Sequence, residues 1–223
     1  RRAPVKIAIV LPGGVDRGGV DRVIHAHLWL IERFARRHEV HVFATRQEAQ
    51  PGEWPLLGAR VHNIGTRRGT ARRLLARFGA EHRVAPFDVV HAFFGLCGTY
   101  AAVIGWRHDV PVVFHPSGGE FVSLAEHDFG MRQTVAGRLA MRVALAGADT
   151  VTVASRPMRD LAAGFMVSAE CVPLGVAIDR WPAREPRPRD TSRPARLLHV
   201  GDLRPVKDQQ TLMAAAGRLR EAG

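Results

Sequence analysis

Val5-Lys6-Ile7-Ala8-Ile9-Val10-Leu11 runs directly into Pro12-Gly13-Gly14, and a second glycine pair follows at Gly18-Gly19. The heptapeptide is apolar nearly throughout, as a strand covered by helices on both faces must be. Beyond the glycines, Val20, Val23, Ile24, Ile31, Phe34 and Ala35 fall close to the i, i+3, i+4, i+7 spacing of a helix face. That spacing predicts a helix from about Val20 to Arg37. Strand, glycine-rich turn and helix in this order form one half of a βαβ unit.

The same alternation continues outward. Apolar, β-branched runs at Val40–Ala44, Val61–Ile64, Val89–Ala92, Val112–His115, Thr150–Ala154 and Glu170–Pro173 predict strands. Between them, helices are expected near Thr70–Phe78, Gly98–Trp106 and Met131–Ala146. A further helix is capped by Ser155 and carries Pro157 in its first turn, where a missing N–H costs nothing. The predicted fold class is α/β, a Rossmann-like doubly wound parallel sheet. The Pro- and Arg-rich stretch 182–194 reads as a linker, because each proline removes a donor and restricts its predecessor. This divides the chain into residues 1–181, the linker, and residues 195–223. The last part holds a predicted strand at Leu197–Val200, a loop at Gly201–Val206 and a helix at Asp208–Arg220. One strand and one helix cannot bury their own apolar faces, so a second, truncated Rossmann-like domain is expected. The chain lacks an initiating Met and ends within a helix-like stretch, so it reads as a fragment.

Composition excludes several function classes. With 223 residues and 46% hydrophobic content, the chain is long enough to bury a full core. No apolar run approaches the ~20 residues of a membrane span. Cys97 and Cys171 lie far apart in apolar contexts and form no metal or redox motif, which suits a reducing cytoplasm. The net charge of +11 raises nucleic-acid binding, but only Lys6 and Lys207 are lysines. The excess is arginine, as a codon bias would spread it, and no aromatic–basic interleaving accompanies it. No nucleic-acid partner is therefore expected. Arg67–Arg77, with Ala71, Leu74, Leu75 and Phe78 on one face, is weighed as a membrane-surface helix and read more readily as an ordinary solvated one.

Three features carry chemistry. Gly13-Gly14-Val15-Asp16-Arg17 is followed at once by Gly18-Gly19-Val20-Asp21-Arg22, and amides opening a helix at Val20 would make an anion site. The spacing is neither a dinucleotide fingerprint nor a P-loop. The second feature, Pro111-Val112-Val113-Phe114-His115-Pro116-Ser117-Gly118-Gly119-Glu120, puts a His at the carboxyl end of a buried strand, where open α/β sheets place ligands. His91 ends its strand in the same way. His27, within the helix stripe, reads as a packed, hydrogen-bonded core residue. His25 and His27 point to different faces and do not pair as ligands. The third, His199 to Asp208, brings Lys207 just ahead of a helix, which suits a diphosphate.

As an ordered set these segments resemble the family 4 retaining glycosyltransferases. Gly18-Gly19-Val20-Asp21-Arg22 resembles that family's Gly-Gly-Val-Glu-Arg segment, and Phe87–Ala92 its central strand. Ala148–Ser155 and Val172-Pro173-Leu174-Gly175-Val176 resemble two later landmarks, and Gly201–Lys207 the opening of its donor domain. Three positions depart from the pattern. Asp202 stands where Arg is frequent, with Arg204 as its substitute. Ser117 stands where His is frequent, and Leu174 where Asn is. The resemblance implies a GT-B fold and transfer of a sugar from a nucleotide-diphosphate donor, with retention. Gly18, Gly19, Arg204 and Lys207 would bind the donor diphosphate, and His115 would act at the sugar. His91, Ser117, Gly118, Gly119 and Glu120 would line the sugar and acceptor cleft. No cofactor is implied, and no metal, because no ligand cluster is visible. The acceptor stays open, with lipid-linked sugars and polysaccharides as the classes considered. The location implied is cytoplasmic, with peripheral membrane attachment as the variant. A nucleotide-sugar epimerase of the same fold and a non-catalytic interaction module are the rival readings.

Overall fold

The computed structural model describes residues 3–66, 68–181, 185 and 195–221. The linker assigned to 182–194 lies outside these residues apart from Glu185, and so does Arg67. The described elements are β1 (Lys6–Leu11), α1 (His25–Ala35), β2 (Glu39–Ala44), β3 (Gly52–Leu56), β4 (Ala59–Asn63), α2 (Thr70–Val84) and β5 (Val89–Phe93). They continue with α3 (Gly95–His108), β6 (Val112–His115), α4 (Val135–Ala146), β7 (Thr150–Val153), α5 (Arg156–Ala163), β8 (Glu170–Cys171) and α6 (Gln209–Glu221). The strands form one sheet in the order β3-β4-β2-β1-β5-β6-β7-β8. Every pairing is parallel except β3 with β4. The α/β, Rossmann-like expectation holds.

Alternation along the strands sorts the core into two layers. Ile7, Ile9 and Leu11 pack with Val40, Val42 and Phe93 under Leu28 and Ile31 of α1. Ala8, Val10, Phe43, Val90, Ala92, Val112 and Phe114 face α2, α3 and α4 on the other side. Small residues let α3 and α4 approach closely. A Cβ on Gly98 would stand 2.5 Å from the Phe114 ring and 3.0 Å from Ala144. The apolar face of α2 is used here as well: Leu74 and Phe78 are fully buried, and Phe78 stacks on Phe87 at 4.8 Å. Leu74 and Phe78 of that face are thereby committed to the core. No helix among the described residues is long and apolar enough to cross one.

Three elements differ from the sequence expectation. The first helix starts at His25, not Val20. Gln47 Oε1 accepts from the Gly14 and Val15 amides at 2.6 and 3.0 Å, and the Ile24 amide donates to the Gly14 carbonyl. These bonds hold residues 14–24 as a folded loop, and Val20 is left exposed. Strand β3 was not expected, since it contains Pro55. It lies at the sheet edge, where a missing N–H breaks no ladder. Leu57 and Gly58 turn it into β4 with φ of 51° and 85°, the sign pattern of a type I′ hairpin turn. Finally, Leu197–Val200 is not a strand: it is exposed and has no neighbouring strand among the described residues to bond to. Ser155 does cap α5 as expected, accepting from the Met158 amide at 3.4 Å.

Candidate functional site

Strand order reverses at β1, which has β2 on one side and β5 on the other. Ligands in open α/β sheets bind at the carboxyl ends of the strands beside such a reversal. A pocket of about 290 Å³ opens there on the α1 face. Trp29, Leu30 and Phe34 of α1 form one wall, and His91, Phe93, His115 and Thr152 form the floor. Val172–Val176 cross the mouth. The chain beyond them is tied to α1 by Arg180 to Glu32 at 2.7 Å and Arg33 to Asp179 at 3.8 Å.

His115 lies on this floor. The expectation placed its ring at the carboxyl end of the sheet facing the cleft; the ring is 2% exposed and lines the pocket beneath α1. Its Nδ1 is 2.8 Å from the Thr152 hydroxyl, and its Nε2 has no hydrogen-bond partner among the described residues. Burial lowers its pKa to about 4, so the ring is neutral at pH 7. Which atom carries the proton depends on Thr152. When Nδ1–H donates to the hydroxyl, Nε2 keeps a lone pair; when the hydroxyl donates to Nδ1, Nε2–H becomes a donor.

His91 lines the same pocket, with Nε2 also unpartnered and its ring 4.3 Å from Phe93. Burial lowers its pKa to about 3, with smaller contributions from His115 and His27. His27 packs on Phe93 at 4.5 Å, a core residue as expected, although its Nδ1 has no partner. Burial, and then the neighbouring His115, lower its pKa to about 4.

The remaining predicted residues fall elsewhere. Gly18 and Gly19 open no helix. The Gly18 amide donates to the Asp16 carboxylate at 3.3 Å and the Gly19 amide to the Asp16 carbonyl at 3.0 Å. In this loop the Asp16 carboxylate stands beside the amides that the sequence assigned to the donor diphosphate. Arg22 pairs with that carboxylate, and Arg17 pairs with Glu48 at 3.0 Å and lies over Trp54. Glu120 is buried and faces inward. One carboxylate oxygen accepts from the Gly95 amide at the start of α3 at 3.1 Å, the other from the Gly118 amide at 2.7 Å. It shapes the loop and also borders a cavity of about 210 Å³ with Phe121, Arg132 and Arg138. Ser117 Oγ donates to the His115 carbonyl at 3.1 Å, and the Gly119 carbonyl accepts from the Met131 amide at 2.9 Å. Arg204 and Lys207 are exposed, with the Arg204 guanidinium 5.9 Å from the Phe129 ring.

Sequence reading missed Thr152, Trp29 and Gln47 as parts of this region. Register brings Thr152 to His115: β6 and β7 pair Val113 with Thr150 and Phe114 with Val151. The two strands were legible, and their relative offset was not.

Residues 18–175 match the family described as Glycosyl transferase 4-like domain. No curated protein matches. Among solved structures, sucrose-phosphate synthase from Thermosynechococcus elongatus is similar at a TM-score of 0.57 and 14% identity, covering 78% of this chain and 49% of that one. HepE from Anabaena, solved in complex with UDP-glucose, is similar at 0.55 and 16%, covering 81% and 47%. The chain spans about half the length of these structures.

Proposed function

The chain belongs to the glycosyl transferase 4-like family, and from that premise we propose that it takes part in moving a sugar from a nucleotide-diphosphate donor to an acceptor, with retained anomeric configuration. The observation that carries the reading is the pocket beside the strand-order reversal, where His115 and His91 hold unpartnered ring nitrogens under an apolar roof. Such a site suits a sugar: the rings satisfy hydroxyls, and Trp29 and Phe34 cover the apolar face.

Sugar transfer builds positive charge at the anomeric carbon and negative charge on the departing diphosphate. Fixed cations stabilise the leaving group without a covalent bond to the protein. Arg204 and Lys207, just ahead of α6, are the side chains assigned to that role. The proposal takes residues 195–221 as the opening of a donor-binding domain. HepE was solved with UDP-glucose, which makes UDP-sugars the first donors to test. We assign the protein to the cytoplasm, and lipid-linked sugars and polysaccharides are the acceptor classes to test.

The test is the anomeric configuration of the product, read by NMR, with the enzyme carrying a complete donor half. An α-linked product from an α-linked UDP-sugar is expected. A β-linked product overturns retention, and failure of every nucleotide sugar to bind overturns the transferase reading itself.

A further inference from the structure

At the other end of the sheet, the strand pairing brings together side chains far apart in sequence. His41 on β2, His62 on β4 and Glu81 on α2 converge on the face opposite α1, their ligand atoms all within 4.8 Å of one another. His41 Nδ1 faces His62 Nε2 at 2.9 Å, with ring centroids 5.1 Å apart and planes 26° from parallel. The rings therefore meet nearly end-on as an N–H···N pair, one nitrogen donating and the other accepting. Glu81 Oε2 stands 3.6 Å from His41 Nδ1. Both histidines are almost fully buried.

Their outward nitrogens complete the pattern. His41 Nε2 lies 2.9 Å from the Glu39 carboxylate. His62 Nδ1 has no hydrogen bond, and the Glu53 carboxylate is 3.6 Å away. A carboxylate behind each imidazole is the usual outer arrangement of a metal-binding histidine, fixing its tautomer and raising its basicity. Arg77 holds the other oxygen of Glu81 at 2.6 Å and also Glu53 at 2.7 Å, so Glu81 keeps one oxygen directed at the histidines. Lys6 sits 3.4 Å from Glu39, so the carboxylates here are balanced by cations outside the cluster.

We infer that His41 Nδ1, His62 Nε2 and Glu81 Oε2 form a binding site for one divalent zinc ion, with a water as its fourth ligand. Two imidazoles and a carboxylate are a donor set that zinc accepts, leaving one position for water. Ligands ~2.0–2.1 Å from a tetrahedral ion stand roughly 3.3 Å apart. The 3.6 Å Glu81–His41 spacing is close to this, the 2.9 Å His41–His62 spacing is a few tenths of an ångström short of it, and the third edge, within 4.8 Å, would close by a swing of the Glu81 carboxylate. The ion takes the place of the single proton now shared by the facing nitrogens, so binding releases no more than that proton. A groove of about 610 Å³ is lined by His41 and one of about 310 Å³ by His62, and Glu53 borders both. Bound zinc would cross-link β2, β4 and α2 at the end of the sheet away from the sugar pocket.

The test uses the chelator-stripped chain. Zinc is titrated against a chromophoric competitor, and cobalt is followed by its visible ligand-field absorption. The expected result is one ion per chain, tetrahedral cobalt bands and a melting temperature that rises with zinc, since the assembled site binds the ion more tightly than the unfolded chain does. Glu81→Gln, nearly isosteric, should weaken zinc at least ~10-fold, and Glu39→Gln, acting through the His41 ring, ~10–100-fold. His62→Asn should abolish the cobalt bands; if that variant does not fold, Glu81→Gln decides alone. Absence of one-to-one binding overturns the site. Zinc affinity unchanged in Glu81→Gln also overturns it and assigns the ion to exposed histidines.

Discussion

The sheet carries two buried histidine clusters that look alike in composition and differ in everything around them. His41 and His62, on β2 and β4, are ringed by Glu39, Glu53 and Glu81 with Lys6 and Arg77 behind. His27, His91 and His115 are ringed by Phe93, Phe94 and one hydroxyl, Thr152. Burial holds His62 to a pKa of about 3, His91 to about 3 and His115 to about 4, so all three are neutral at pH 7. Only the first cluster has anions placed to receive a cation. In the second, unpartnered nitrogens face an apolar pocket and suit neutral hydroxyls. The same residue type thus takes opposite chemistry from its second layer of neighbours.

The largest expected effect falls on the second cluster. In the enzyme with a complete donor half, His115→Ala should lower turnover ~10²–10⁴-fold if the ring moves a proton, with a smaller drop if it only positions the sugar. Thermal melts check that the variant folds. Normal turnover in His115→Ala beside a crippled Ser117→Ala would move the chemistry out of the pocket and break the comparison.

Acid should unfold both clusters in the same direction. A histidine held neutral by folding takes up its proton only on unfolding once the pH drops below the unfolded value of ~6.5. Stability is then complete above that pH and lost as pH falls toward the folded values of about 3 for His62 and His91 and about 4 for His27 and His115. Urea melts between pH 7 and pH 4 should show a loss of up to ~1.4 kcal/mol per pH unit for each such histidine. A flat profile would mean that these rings are hydrated and that the pocket is not dry.

Lys207→Ala tests the cation that neither cluster supplies. Affinity for a nucleoside diphosphate should fall by ~1.5–3 kcal/mol, the worth of a charge-assisted hydrogen bond, while affinity for the bare nucleoside holds. Equal losses in the two titrations would remove Lys207 from the diphosphate. Thr152→Val is the finest probe. It leaves Nδ1 of His115 bare and should cost ~1–3 kcal/mol in a denaturant melt. No loss would show that the hydroxyl does not set the His115 tautomer.

Much was legible in residue order alone. The run Val5–Leu11, the apolar stretches at Val40, Val89, Val112 and Thr150, and the helix stripes between them specify a parallel sheet, because period and burial are local properties of the chain. The cap at Ser155 and the packing of His27 were readable for the same reason. Only the tertiary structure decided where the side chains point and what they meet. The offset between β6 and β7 joins His115 to Thr152, and the convergence of β2, β4 and α2 joins His41, His62 and Glu81. Gln47 accepts from the Gly14 and Val15 amides and Asp16 from that of Gly18, and the folded loop they hold puts the start of α1 at His25. Each of these is a bond between distant segments. Its partner is chosen by register and by competition among acceptors, and neither is written in the period of a single stretch.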